Sequence, residues 1–429
     1  MGPDELIDGE SCPLSDYVYF QEGPGIRKSQ NVDDGICYLN IRCFVEGKID
    51  KSSMHQVLTT EAFGKYKHFL LDAGDYVVSS SGTLGRLVEI FAEDLPVMLN
   101  TSTIRFRPKD ASQLDRVFLK YFLLSATFQS QVRKLATGSV QLNFGPSHLQ
   151  QVRMPKVPLI IQRGIVSIVE PIDEKITTNK TQIKILEEIA QTIFKSWFID
   201  FDPVKAKMAG EKPVGMDDAT AALFPDSMED SELGPIPRGW SVRDFGDVNN
   251  LLMGQSPPGD TFNTLGDGVP FYQGRTDFGT RFPKQRVFCT AGTRFAKTGE
   301  VLISVRAPVG DLNQAIENCV IGRGVASAIH NSGSQVYSYA LLNSLKPKLA
   351  YYNGEGTVFG AINRSDFQSL KVVEPVHQVV DLFDRTTGAM NEEIRNLFLQ
   401  TESLIQMRDS LLPRLISGEL PIPEEMLGA

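Results

Sequence analysis

Residues 138–198 align with residues 356–416 without a gap, at a constant offset of 218. Gly138-Ser139-Val140 falls on Gly356-Thr357-Val358, and Leu149-Gln150 falls on Phe367-Gln368. Ile176, Leu186 and Phe194 meet Ile394, Leu404 and Leu412. Upstream the match continues with small shifts in offset. Leu71-Asp72-Ala73-Gly74-Asp75 followed by Gly85 parallels Ala296-Lys297-Thr298-Gly299-Glu300 followed by Gly310, with eleven positions between the two glycines each time. Gly35-Ile36-Cys37-Tyr38 likewise parallels Gly268-Val269-Pro270-Phe271. Solenoid repeats have periods of about 20 to 50 residues, so a period this long marks a duplicated domain. A duplication that keeps a frame and varies its contents suits a molecule that does one job at two places.

Each repeat has the same internal order. Short β-like runs separated by glycine turns come first, among them residues 35–44, 75–79, 103–106 and 300–305. A helical piece follows, at 114–136 in the first repeat and 334–349 in the second, then a Gly-Ser/Thr-Val turn. Ser147 and Ser365 are placed to cap the next short helix. The globular parts therefore read as α+β. Each repeat closes on a long helix. In the first, Ile165, Val169, Ile172, Ile176, Asn179, Ile183, Leu186, Ala190, Ile193 and Trp197 step by alternating four and three, a heptad seam with one polar member. The second seam runs Phe383, Thr387, Met390, Ile394, Leu397, Thr401, Leu404, Arg408, Leu411 and Leu415, with Gly388 and Pro413 predicting a kink or an early stop. Neither seam can stay in water. The two helices are expected to pack on each other as an antiparallel pair; the alternative is that each covers its own globular body. About 35 helical residues at 1.5 Å each span roughly 50 Å, which makes the pair a ruler.

The bulk numbers exclude several classes. With 429 residues the chain can form two or three cores, and 41% hydrophobic with 22% charged residues is ordinary for a globular protein. No apolar run reaches the ~18 residues of a membrane span, and the acidic N-terminus lacks the features of a signal peptide. Five cysteines without a CxxC pair read as reduced and cytoplasmic, and the five scattered histidines suggest no metal site. The net charge of −9 is concentrated: residues 170–234 carry 7 basic and 14 acidic residues, and residues 377–429 carry 4 and 9. The rest of the chain is near neutral to mildly basic, compatible with DNA binding but without a clear basic footprint. No phosphate-binding GxxxxGK[ST] loop, Asn/Asp-Pro-Pro-Tyr/Phe methylation signature, GxSxG elbow or HExxH helix occurs. The chain reads as catalytically empty.

One stretch adds a resemblance. Residues 196–207 (Ser-Trp-Phe-Ile-Asp-Phe-Asp-Pro-Val-Lys-Ala-Lys), Leu223-Phe224-Pro225-Asp226 and Gly234-Pro235-Ile236-Pro237-Arg238-Gly239-Trp240 lie between the repeats, and Gly418-Glu419-Leu420-Pro421-Ile422-Pro423 echoes the last of them. With this connector between two variable bodies, the whole chain resembles the specificity subunits of type I restriction–modification systems. The resemblance implies target recognition domains at 1–158 and 235–376, spacer helices at 159–200 and 377–417, an acidic connector at 201–234 and a tail at 418–429, in a pseudo-twofold, circular arrangement. It further implies that each domain reads one half of a split DNA sequence, that the helix pair sets the gap, and that two methyltransferase subunits dock on it. Those subunits would supply S-adenosylmethionine for adenine methylation, this chain holding no cofactor, and two restriction subunits would complete the assembly without any membrane. The competing readings are a nuclease or methyltransferase fused to its own recognition domains, which the missing signatures count against, and a scaffold whose helices assemble protein partners without reading DNA.

Base edges are read by Arg, Lys, Asn, Gln, Ser and Thr on exposed loops. The candidates in the first domain are Lys28, Ser29, Gln30, Arg42, Ser81, Thr83, Ser139, Gln141 and Asn143. In the second they are Gln255, Arg275, Thr276, Arg306, Arg323, Thr357 and Asn363. For each the alternative is ordinary solvated surface. Arg107, Lys109, Arg133 and Lys134 are phosphate candidates, Tyr351 and Tyr352 are expected mainly in the core, and Trp197, Phe198 and Trp240 are expected to pack the helix ends or a methyltransferase interface. The helix pair rests on Ile176, Asn179, Ile183, Leu186, Ile394, Leu397 and Leu404, with Asn179 setting register.

Overall fold

The computed structural model describes residues 11–45, 47–138, 142–353 and 360–427. Two compact units divide the chain, residues 1–177 with 401–429 and residues 178–400. The division cuts both long helices, so each unit holds one globular body and a portion of each helix.

In the first unit a four-stranded antiparallel sheet has the order Val18–Glu22, Thr103–Pro108, Tyr76–Ser79, Leu87–Glu89. Successive side chains of a strand point to opposite faces, and here both faces are covered. Tyr76 and Val78 enter a core with Phe106, Phe118, Phe122 and Phe128, while Val77 enters a second core with Val88, Val97 and Leu99. This explains why Tyr76-Val77-Val78 is continuously apolar instead of alternating. A second sheet orders Val97–Met98, Ile36–Tyr38, His55–Val57 and Asn31–Val32, its first pair parallel. Ser11–Pro13 pairs with Arg153–Pro155 and closes the body. The helical piece expected at 114–136 is two helices, Arg116–Leu124 and Ala126–Leu135. Ser125 makes the break: its hydroxyl donates to Phe122 O at 2.6 Å and accepts from Phe128 N at 3.3 Å. Residues 159–177 and 401–416 add helical segments to this unit, Ile165 and Val169 sharing the core with Leu412, Leu415 and Ile416. The C-terminal tail packs there too. A Cβ on Gly164 would lie 2.9 Å from Ile422 Cγ2, so the glycine admits the tail.

The second unit repeats the plan. Its first sheet runs Asn249–Met253, Val325–His330, Val301–Ser304, Leu312–Gln314, the same order and polarity as in the first unit. The second sheet keeps the parallel pair, Val269–Tyr272 with Cys319–Ile321, and gains an outer strand at Phe295–Ala296. Ser241–Asp244 pairs with Lys371–Glu374 as the closing clasp. The connector is folded, with helices at Asp202–Met208 and Asp218–Ala222. Val204, Phe224, Ile236 and Trp240 share one core with Phe194, Trp197 and Phe198, so the three aromatics named above are packing residues within this unit.

The long helices are Leu159–Phe198 and His377–Ile416, and their first and last residues both differ by 218. The second passes through Gly388 and Pro413 without stopping. Pro413 lies three residues from the end, where one missing donor costs a single bond and buried Leu412, Leu415 and Ile416 hold the last turn. The short helices Pro146–Leu149 and Arg364–Gln368 are capped by Gly145 and Asn363; Ser147 and Ser365 lie inside them. Among the described residues no helix is long and apolar enough to cross a membrane.

Candidate nucleic-acid interface

The repeat frame is most exact at one hairpin loop in each unit. In the first, Ser79 N donates to Arg86 O at 2.9 Å, Gly85 N to Ser79 O at 2.9 Å and Arg86 N to Ser79 Oγ at 3.0 Å. In the second, Ser304 N donates to Asp311 O at 2.9 Å, Gly310 N to Ser304 O at 2.9 Å and Asp311 N to Ser304 Oγ at 2.9 Å. Gly85 and Gly310 have φ of 79° and 98°, left-handed values that a side chain disfavours. The equal spacing of the glycines in sequence is thus the spacing of two turns closed by the same hydrogen bonds.

Each loop leans on the segment before the following short helix. Phe144 N donates to Ser80 O at 3.0 Å and Ile362 N to Val305 O at 3.1 Å. Ser81 bridges to Asn143, and Arg306 bridges to Ala361. In the first unit this brings together Ser81, Thr83 and Asn143; Thr83 and Asn143 are exposed and Ser81 is half-buried. Ser139, Gln141 and Thr357 lie outside the described residues. Arg42 sits on the turn Ile41–Cys43, which meets the loop where Arg86 Nη1 reaches Ile41 O at 3.5 Å. Its counterpart turn carries Arg275 and Thr276, and Arg275 pairs with Asp311 of the loop at 2.7 Å.

Two further candidates of the second unit join this end. Val305 N donates to Gly324 O at 3.0 Å, next to exposed Arg323, whose own N reaches Ser256 Oγ at 3.4 Å beside exposed Gln255. Asn363 is exposed but employed as a cap, accepting from Asp366 N at 2.9 Å. Lys28, Ser29 and Gln30 form a separate turn in the first unit, where Gln30 donates to Tyr66 Oη at 3.0 Å and accepts from Arg27 N at 2.9 Å. Lys28 and Ser29 are exposed.

Other expectations are redirected by the geometry. Arg107 is tied to Asp72 and Asp75 at 2.7 Å each, so its charge is used within the fold. Tyr351, expected mainly in the core, is 86% exposed, and Tyr352 is half-buried. Arg86 and Asp311 were not singled out, although each directly follows the second glycine of the repeat frame. Asn353 was also missed; it holds the second loop by accepting from Val309 N at 2.6 Å and donating to Val309 O at 3.0 Å.

The helix seam can be followed inside each unit. In the second unit Ile183, Ile394 and Leu397 form a buried cluster with half-buried Leu186, and Asn179 Nδ2 donates to Gln400 Oε1 at 2.8 Å. In the first, Ile176 is buried, Leu404 is half-buried, and Arg408 Nη1 donates to Asp173 Oδ1 at 2.9 Å. Residue numbers rise along one helix as they fall along the other, so the segments are antiparallel. Among the described residues no group of His, Cys, Asp and Glu is arranged to hold a metal ion.

The chain is similar to known proteins in sequence and in fold. A family profile described as type I restriction modification DNA specificity domain matches residues 13–188. A putative type I restriction enzyme MjaX specificity subunit of Methanocaldococcus jannaschii is 26% identical over 407 residues, covering 93% of this chain and 90% of its own. The type I restriction enzyme HindI specificity subunit of Haemophilus influenzae is 24% identical over 60% of this chain and 67% of its own. Among solved structures, the type I restriction-modification system S subunit from M. genitalium shares the fold at a TM-score of 0.51, with 15% identity and 95% coverage of both chains.

Proposed function

We propose that the chain is a type I restriction–modification specificity subunit, the DNA-reading, non-catalytic member of such a complex. Each globular body reads one half of a bipartite, asymmetric target. The observation that carries this reading is the pair of loops, one per unit, that are closed by the same hydrogen bonds yet present different side chains: Ser81, Thr83 and Arg86 in one, Arg306 and Asp311 in the other. A constant frame with exchanged contents is what two different half-sites require, because base edges are told apart by the donors and acceptors set against them.

The antiparallel helix segments set the number of unread base pairs and dock two methyltransferase subunits, which bind S-adenosylmethionine and methylate adenine. Two restriction subunits complete the cytoplasmic assembly. Phosphate contacts shared with the methyltransferases relieve this acidic chain of supplying the whole electrostatic share of DNA affinity. Arg42, Arg306 and Arg323, exposed on or beside the loops, are the base or phosphate contacts we assign first. Lys28, Ser29, Gln255, Arg275, Thr276 and Asn143 follow them.

The test is co-expression with the cognate methyltransferase subunit in a host free of adenine methylation, with modified adenines mapped across the genome. One split motif, two short blocks around a fixed gap, is expected, and exchanging residues 1–158 for those of a relative should change one block only. A stable complex that leaves the genome unmethylated, or methylates it without a motif, would overturn base reading by these bodies.

A further inference from the structure

Arg281 of the second unit is 4% exposed although it is a charged residue on a loop. Its guanidinium carbon lies 3.2 Å from the centre of the Tyr339 ring. Nη2 donates to Gln314 Oε1 at 3.1 Å and to Asn391 Oδ1 at 2.8 Å, and Nε stands 3.6 Å from Glu187 Oε1. One side chain therefore touches both long helices, through Glu187 and Asn391, and also the helix Gln335–Ser344 and the strand Leu312–Gln314. The neighbouring residue, Phe282, is 2% exposed and sits in the helix-pair cluster with Ile183, Ile394 and Leu397.

The strand matters because Leu312–Gln314 is the outgoing arm of the hairpin that carries Arg306 and Asp311. The loop of Arg281 is bolted to that arm: Gln314 N donates to Arg281 O at 2.9 Å, Gly279 N to Asn313 Oδ1 at 2.9 Å and Asn313 Nδ2 to Gly279 O at 3.0 Å. A short chain of direct contacts thus joins the helix pair to the candidate reading loop. An apolar side chain of similar volume could fill the site without desolvating a charge, so a buried ion cluster is weak evidence of stabilisation and is better explained by orientation. The first unit builds the equivalent place differently. Asp173, which matches Asn391 at the 218 offset, accepts from Arg408 at 2.9 Å and stands 3.7 Å from Lys120. There the guanidinium comes from the second long helix and the globular body adds the ammonium of Lys120, whereas in the second unit the globular body supplies the guanidinium itself.

We infer that Arg281 is a positioning residue that fixes the angle at which the second body's hairpin is presented from the helix pair, and hence the spacing at which the second half-site is read. The inference rests on the proposed function. A directional clamp of this kind acts on spacing and not on base identity. Among the described residues the side chain of Arg281 bonds to Gln314 and Asn391 and pairs with Glu187, not with the loop tip, and its fork of donors has fixed geometry that neither Lys nor Met reproduces.

The experiment is adenine-methylation mapping of the complete complex with the wild-type chain, Arg281→Met and Arg281→Lys, with Asn391→Ala as a milder variant that keeps the charge paired to Glu187. The expected result is that both base blocks stay unchanged while methylation at sites with a gap one base pair longer or shorter rises about tenfold. Folded variants whose gap distribution matches the wild type would overturn the inference, as would a change in the bases of the second block at an unchanged gap. If the arginine variants yield no soluble complex, the asparagine variant decides by the same readout. A wild-type complex that shows no split motif reports failure of base reading itself, which the variants' gap distributions cannot mimic.

Discussion

Asn179 donates its Nδ2 hydrogen bond to Gln400 Oε1 at 2.8 Å, from one long helix to the other, while its own Oδ1 is buried without a hydrogen-bond partner. A polar residue in a heptad seam costs stability and fixes register. Leaving one buried acceptor unpaired costs about 1–3 kcal/mol. Asn179→Leu is therefore expected to raise stability by about 1–2 kcal/mol in denaturant unfolding and to broaden the gap between methylated half-sites. A more stable variant with an unchanged gap would show that Asn179 does not set register.

The two glycine turns give a prediction that separates the half-sites. At Gly85 an added Cβ would lie 1.9 Å from Gln129 Oε1, and at Gly310 it would lie 3.0 Å from Leu349 Cβ. Both also hold left-handed φ. Alanine at either position should cost at least about 1 kcal/mol, since the backbone must strain. Gly85→Ala should weaken methylation that depends on the first block and Gly310→Ala that on the second, scored on plasmids with one block mutated at a time. Equal effects of both variants on both blocks would contradict a separate reader in each unit.

Arg306 is exposed at the loop tip, and among the described residues no acidic side chain is paired with it. Arg275 in the same unit is instead held by Asp311. A bidentate arginine–guanine contact is worth about 1–3 kcal/mol of discrimination. Arg306→Ala should thus relax one position of the second block by roughly tenfold or more, seen as new bases at that position in the methylation map. A uniform fall in methylation at every site would instead mark a phosphate contact.

Much of this architecture is legible in the sequence because the duplication supplies an internal control. The 218 offset matches both ends of both long helices, and the heptad positions from Ile165 to Trp197 are buried or half-buried. The glycine spacing marks two turns closed in the same way because a left-handed φ leaves few other residues able to replace Gly85 or Gly310. Other features depend on distant partners and leave no local trace. Nothing local in the sequence marks Arg281, whose partner Asn391 lies 110 positions away. Tyr351 reads as core because aromatic pairs usually pack, yet the turn Tyr351–Asn353 directs its first ring outward. Arg107 reads as a phosphate contact because Asp72 and Asp75 meet it only through sheet pairing.

Glu187 offers a test of the Arg281 junction by pH. Burial holds its carboxyl above the usual range, and the pull of Arg281 and Lys346 in the opposite direction is the smaller influence. A carboxyl whose pKa is raised by folding contributes its full stability below the unfolded value, about 4.3, and loses it as pH rises through the folded value. Glu187→Gln removes that loss. The melting temperature of Glu187→Gln relative to wild type should therefore rise as pH is raised from about 4 and level off once the native carboxyl has ionised. The opposite slope, with wild type gaining on the variant as pH rises, would mean that attraction to Arg281 outweighs burial. The junction would then be a stabilising ion pair, not a costly one kept for orientation.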